Sequence, residues 1–161
     1  MSNSDIIKAQ NTPVPLDKCG MALAAQQLME KWSMLIIREA FYGVGRFEDF
    51  QEDLGIPRSV LTDRLKRLVE LDILLRIPYR PQGTRTRFGY ILTERGQELA
   101  LTILALMQWG DRWNAPDGAP LLLTHKGCGG SLALELRCDS CGAQPGARDV
   151  AYKPGPGSSG A

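Results

Sequence analysis

Apolar positions change their spacing several times along this chain, and each change marks an element. Residues 1–15 are polar and hold Pro13 and Pro15, the pattern of a loose arm. Asp17 is then placed to cap a first helix whose apolar positions are Met21, Leu23, Ala24, Leu28 and Met29. In the run KWSMLIIREAFY, residues 31–42, apolar side chains occupy 32, 35, 36 and 40 and also 34, 37 and 41. A helix apolar around so much of its circumference belongs inside a core. Gly43 and Gly45 break it, and Phe47, Phe50 and Leu54 mark a short amphipathic helix that Gly55 stops. After Ile56 and Pro57 another helical stripe follows, with Leu61, Leu65 and Leu68 inward and Arg58, Ser59, Thr62, Asp63 and Lys66 left to face outward.

Two short helices joined by a tight glycine turn predict a helix-turn-helix. Beyond Asp72 the period becomes two: Leu75, Ile77 and Tyr79 alternate with Arg76, Pro78 and Arg80, and Phe88, Tyr90 and Leu92 alternate on the return. With Pro81, Gln82, Gly83 and Thr84 as the turn, this predicts a β-hairpin, and Pro78 should sit where no ladder hydrogen bond is needed. Thr93 is placed to cap a long helix, TERGQELALTILALMQWGDRW. Its main stripe, Leu99, Ile103, Leu106, Gly110 and Trp113, is suited to cover the core, while Leu101 and Leu104 project elsewhere and suit a second subunit. A Pro/Gly linker at 114–120 leads to strand-like PLLLTH and SLALELRC segments and a Gly/Pro/Ser tail from Pro154 to Ala161.

Composition narrows the class. With 43% hydrophobic and 23% charged residues in 161, the chain reads as one globular domain plus a small appendage. No apolar run approaches the roughly 18 residues of a membrane span, and no charged start followed by an apolar block opens the sequence, so a cytoplasmic location is expected. A formal net charge of +1 gives no hint of a polyanionic partner, but its distribution does. Over residues 58–87, eight cations (Arg58, Arg64, Lys66, Arg67, Arg76, Arg80, Arg85, Arg87) against Asp63, Glu70 and Asp72 leave a net charge of +5. A helix-turn-helix followed by a basic hairpin is suited to double-stranded DNA: one helix fits the major groove, and the hairpin reaches the backbone or the next minor groove. The candidate DNA-binding residues are therefore Arg58, Ser59, Thr62, Asp63 and Lys66 on the helix and Arg80, Arg85 and Arg87 on the hairpin. Arg64 and Arg67 are suited either to clamp phosphates or to pair with carboxylates.

The stretch from Lys31 to Leu99, closed by Gln108-Trp109-Gly110-Asp111-Arg112-Trp113, carries a family resemblance. Lys31-Trp32, Arg46-Phe47, Leu61-Thr62-Asp63-Arg64-Leu65, Pro78-Tyr79, Tyr90 with Leu92-Thr93-Glu94, and Gly96 together resemble the HxlR-type regulators, a winged-helix group related to the MarR regulators. The resemblance covers about residues 17–113. It implies a bacterial transcription regulator without enzymatic activity: a homodimer, built from the first and last helices, that reads a roughly palindromic operator. Family members repress or activate, often nearby detoxification or metabolic genes; a repressor is the expectation here, with a small-molecule effector as one possible input.

Four cysteines and one histidine remain. Cys19 opens the first helix beside Lys18, a setting suited to thiolate chemistry, and resembles a cysteine with which some HxlR-type proteins sense oxidants or electrophiles. The alternative is a half-buried cysteine packing at the dimer contact, and Gly20 stands where many relatives have proline. His125-Lys126-Gly127-Cys128-Gly129 and Cys138-Asp139-Ser140-Cys141-Gly142 share a two-residue spacing followed by glycine. His125, Cys128, Cys138 and Cys141 would supply the four tetrahedral ligands of a structural zinc in a miniature zinc ribbon. Competing readings are a Cys138/Cys141 redox pair or unligated cysteines in a docked hairpin; a thiol oxidoreductase on that pair lacks the βαβ context such chemistry usually has. The expected fold class is thus mainly α with a small β-hairpin. A flexible arm (1–15) precedes a winged helix-turn-helix domain (16–113); a linker (114–120), a zinc-ribbon-like module (121–153) and a disordered tail (154–161) follow.

Overall fold

The computed structural model describes residues 14–80, 85–151, 153 and 155. The arm through residue 13, the hairpin turn 81–84 and all of the tail but Gly155 lie outside the described residues. Internal contacts divide the chain into two compact units, one of residues 28–135 and one drawn from 1–27 and 136–161.

The first helix, α1 (Gly20–Leu28), starts later than its apolar pattern suggested. Asp17 belongs to the preceding turn rather than to the cap, and the first helical bond runs from the Leu23 N–H to the Cys19 carbonyl at 2.9 Å. No residue of α1 is buried.

In the larger unit, α2 (Lys31–Phe41) is central, as its all-round apolar pattern requires, with Ile36 and Ile37 fully buried. Around it pack α3 (Phe47–Leu54), which contributes Phe50, and α4 (Arg58–Glu70), which contributes Leu61, Leu65 and Leu68. Each of these fully buried side chains is worth about 1.5–3 kcal/mol relative to exposure. Gly55 ends α3 in the left-handed region at φ 58°, where a side chain would be strained. At the end of α4 the same conformation falls on a non-glycine residue, Asp72, at φ 56°. The Ile73 N–H donates to the Leu68 carbonyl and the Asp72 N–H to that of Val69, the paired bonds of a Schellman stop.

The hairpin forms from β1 (Leu74–Tyr79) and β2 (Arg87–Leu92), antiparallel with Ile77 opposite Gly89 and Pro78 opposite Phe88. Its inward residues differ from the period-two expectation. Leu74 is buried, whereas Leu75 and Phe88 are 51% and 42% exposed. Only the base of this two-stranded ribbon lies on the core, so the outer stretch has no inward face. A short third segment joins it: Arg46 bridges Gly89, and the Tyr90 N–H donates to the Gly45 carbonyl at 2.8 Å. A Cβ on Gly45 would sit 2.9 Å from the Tyr90 carbonyl oxygen, so glycine here serves this close approach, while α2 has already ended at Phe41.

The helix expected to run on from Thr93 is interrupted. A short α5 (Glu94–Gln97) is followed, after Glu98 and Leu99, by α6 (Ala100–Asn114). The Thr93 hydroxyl donates to the Asp72 carbonyl at 2.6 Å and accepts from the Gly96 N–H at 3.0 Å, pinning α5 against the α4–β1 joint. The Leu99 N–H then bonds the Gly96 carbonyl three residues back, a tightened turn that re-aims the chain into α6. Ile103 is the buried residue of α6, with Met107 and the preceding Leu99 partly buried against the core; Leu106 and Trp113, expected inward, are 52% and 69% exposed.

Beyond α6 the expected strands do not form among the described residues. Thr124 and Ser131 make an isolated bridge, and a 3-10 turn spans Ala147–Asp149. Leu121, Leu122, Leu132 and Leu136 stay exposed, so alternation found no surface to pack on.

Candidate nucleic-acid interface

Every α4 residue assigned outward by its periodicity is exposed: Arg58, Ser59, Thr62, Asp63 and Lys66 line one face, opposite the buried Leu61, Leu65 and Leu68. Three are engaged locally. The Arg58 guanidinium lies over the Phe47 ring at 4.8 Å, tying the start of α4 to α3. The Thr62 hydroxyl donates to the Arg58 carbonyl at 2.8 Å, which leaves its oxygen lone pair and methyl group facing out. Lys66 reaches Glu70 at 3.8 Å, a loose, exposed pair that a phosphate can displace.

Arg64, left open between clamp and ion-pair partner, has a carboxylate beside it. Its Nε lies 2.9 Å from Glu30 Oε2, with the N–H aimed off that oxygen, so the contact is ionic rather than a hydrogen bond. Glu30 also caps α2, accepting from the Ser33 N–H at 3.1 Å, the Trp32 N–H at 3.3 Å and the Ser33 hydroxyl at 3.1 Å. Burial pushes the Glu30 carboxyl up, but the Ser33 and Trp32 N–H groups, the Ser33 hydroxyl and the Arg64 charge together outweigh it. Its net position is below the ordinary glutamate value. Sequence patterning passed over Glu30, whose importance comes from a partner more than thirty residues away.

On the hairpin, Arg80, Arg85 and Arg87 are exposed. Arg87 pairs with Glu48 of α3 at 3.6 Å, a contact the sequence did not signal, and Arg76 stacks over Phe88 at 3.6 Å. Arg46 lies over the Tyr79 ring at 5.6 Å, bracing the hairpin where it meets α3. Cations from α4 and from both strands thus stand on the same compact unit, on elements fixed by a common core.

The remaining sequence-predicted residues are distributed as follows. Cys19, half-buried, immediately precedes α1. His125 Nδ1 lies 3.4 Å from Cys128 Sγ. The Cys138 thiol is drawn below the ordinary cysteine range by the N–H groups of Cys141 and Ser140 and by the Cys141 thiol, against a smaller opposing effect of desolvation. Among the described residues no three His, Cys, Asp or Glu side chains are gathered as a metal-holding group, and no helix is long and apolar enough to cross a membrane.

A helix-turn-helix with its second helix bare on one side, followed by an arginine-bearing β-wing, defines a transcription regulator of the winged helix-turn-helix class. Residues 27–117 match the family described as HxlR-like helix-turn-helix, and the chain belongs to that family. It is 44% identical over 135 residues to the uncharacterized HTH-type transcriptional regulator Rv3095 of Mycobacterium tuberculosis, covering 83% of this chain and 84% of that one. Among solved structures it is similar to PA1607, a proposed transcription factor, at TM-score 0.75 and 31% identity over 84% of this chain and 94% of that one. It is also similar to the redox regulator HypR in its oxidized form, at TM-score 0.53 and 25% identity over 58% of this chain and 96% of that one.

Proposed function

We propose that this regulator binds a palindromic operator in double-stranded DNA as a homodimer and acts as a repressor. One observation carries the reading: five polar side chains of α4 are exposed on one face while three leucines lock the other into the core, so the helix is rigid where it would enter a groove. In this reading Ser59 and Thr62 contact base edges together with Arg58; Asp63 and Lys66 complete the groove-facing surface; and Arg80, Arg85 and Arg87 grip the flanking backbone or minor groove. Trp109 and Trp113 of α6, both exposed, supply apolar surface that a second copy would cover.

The test is binding, measured by fluorescence anisotropy over a range of salt, to DNA upstream of the protein's own gene and to random competitor. Arg85→Ala and Arg87→Ala should each weaken binding to all sequences and lower the salt slope by about one. Thr62→Ala or Ser59→Ala should instead erode the preference for the operator by about 1–3 kcal/mol. No preference for any duplex, or an unchanged slope in the doubly substituted wing, sinks the assignment.

A second reading makes the regulator a redox or electrophile sensor, through Cys19 or the C-terminal cysteines. It is favoured by the likeness to HypR and by the place of Cys19 at the start of α1. Peroxide or diamide should change operator affinity reversibly with thiol reductant. A full response in Cys19→Ser would shift the sensor to the C-terminal cysteines, and no response in wild type removes it.

A further inference from the structure

The exposed ring of Phe88 has a use that burial does not explain. On a two-stranded ribbon, cross-strand partners share a face, so the face that carries Leu74 and Leu92 at the base continues through Arg76 and Tyr90 to Pro78 and Phe88. Leu74 is buried in the core, and Leu92 and Tyr90 are partly buried against it. Beside Tyr90 stands a cation, and the Arg76 guanidinium lies 3.6 Å over the ring of Phe88, its diagonal neighbour on β2. So short a separation is face-to-face contact. It fixes the plane of the guanidinium and leaves along its edge the N–H groups with which arginine takes two phosphate oxygens at once.

Arg76 is turned toward a cleft of about 450 Å³ between α4 and the wing, inside the unit of residues 28–135. The α4 wall is Thr62, Lys66, Val69 and Glu70, at i, i+4, i+7 and i+8 of one helical stripe, and the wing wall is Arg76 and Tyr90. Lys66 and Arg76 thus approach one space from two elements that share a core. The carboxylate in that space, Glu70, reaches Lys66 only loosely, at 3.8 Å, and among the described residues no carboxylate pairs with Arg76. If the stack served only to join the strands, two apolar side chains in the same diagonal positions would do so without placing a cation in the cleft.

We propose that this cleft seats one phosphodiester of the DNA backbone in each half-site, held from one side by Lys66 of α4 and from the other by Arg76, with Phe88 as the positioning residue for Arg76. The inference rests on the DNA-binding reading and deepens it. The wing-facing stripe of α4 holds a strand, while Arg58, Ser59 and Thr62 read bases from the same helix. A contact to phosphate fixes the register of α4 in the groove without itself distinguishing sequences.

The full chain is titrated over a range of salt against the duplex upstream of its own gene and against a random duplex of equal length. Arg76→Gln and Lys66→Gln, both at exposed positions, should keep the wild-type thermal midpoint and weaken binding to both duplexes, each by about tenfold per half-site. Because the two cations hold one phosphate, the double variant should flatten the salt slope by about 0.9 per half-site, not by twice that. Phe88→Leu should weaken binding in the wild-type background and add nothing to Arg76→Gln, whereas Phe88→Tyr should bind as wild type does. A neutral methylphosphonate at one backbone position of each half-site should reproduce the loss in wild type and cost nothing more in the double variant. An Arg76→Gln chain that binds as tightly as wild type, or a double variant that loses twice the slope, overturns the shared clamp and leaves the DNA-binding reading standing. A wild-type chain that binds no duplex overturns both.

Discussion

Glu30 shows how one carboxylate can serve two elements. It closes the N-terminus of α2 through the Trp32 and Ser33 N–H groups and holds Arg64 of α4, so the orientation of the exposed helix depends partly on a residue outside it. Burial acts against the charge, but the donors around it prevail and its folded-state pKa lies below the unfolded value. A lowered pKa means the stabilisation is fully present above the ordinary glutamate range and is lost as the pH falls through the folded value. Glu30→Ala should cost about 1 kcal/mol at neutral pH, the usual worth of an N-cap. The denaturation midpoints of wild type and variant, measured against pH, should converge in acid; a gap independent of pH would show that packing, not the charge, is what the substitution removes. Arg58, Ser59, Thr62, Asp63 and Lys66 were legible from spacing alone, because a helix stripe that buries leucines dictates which residues are left outside. Glu30 and Glu48 were not, because their partners Arg64 and Arg87 come near only once the helices pack.

At the scale of elements, the joint between α4, β1 and α5 fixes where the wing stands. A Cβ on Gly96 would lie 2.2 Å from the Ile73 carbonyl oxygen, which is backbone and itself accepts from the Thr93 N–H. Gly96→Ala must therefore push α5 away from the end of α4, at a cost of at least about 2 kcal/mol. Urea denaturation should show this loss; an unchanged midpoint would mean that α5 is loosely docked. The period of 3.6 revealed α2, α3 and α4 because each buries a stripe, and Gly55 marked the turn between the last two correctly. Period two misassigned Leu75 and Phe88, since a ribbon with only its base on the core does not keep alternation over its full length. The break after Gln97 was equally hidden: Glu98 and Leu99 keep right-handed helical angles, so local composition gives no stop signal and the cause is the Thr93 anchor.

For the molecule as a whole, the unresolved balance is on α6. Leu106, Trp109 and Trp113 are 52%, 58% and 69% exposed, and their spacing places them within one stripe of the helix. Large apolar side chains grouped this way are costly in water and are typical of the centre of an interface. The proposed homodimer accounts for them, and it also links assembly to DNA affinity. Two α4 helices joined through such a non-covalent interface would gain from effective concentration at two half-sites what a single copy cannot. Trp109→Glu combined with Trp113→Glu places like charges on both sides of such an interface without touching Ile103 or Met107, the residues by which α6 joins the core. The double variant should sediment as a monomer while keeping the wild-type far-ultraviolet circular dichroism. Its affinity for a full palindrome should fall to the level of a single half-site, whereas its affinity for an isolated half-site should stay as in wild type. A variant that remained dimeric would move the interface off this stripe. One that became monomeric yet bound the palindrome undiminished would remove dimerisation from the mechanism of operator recognition.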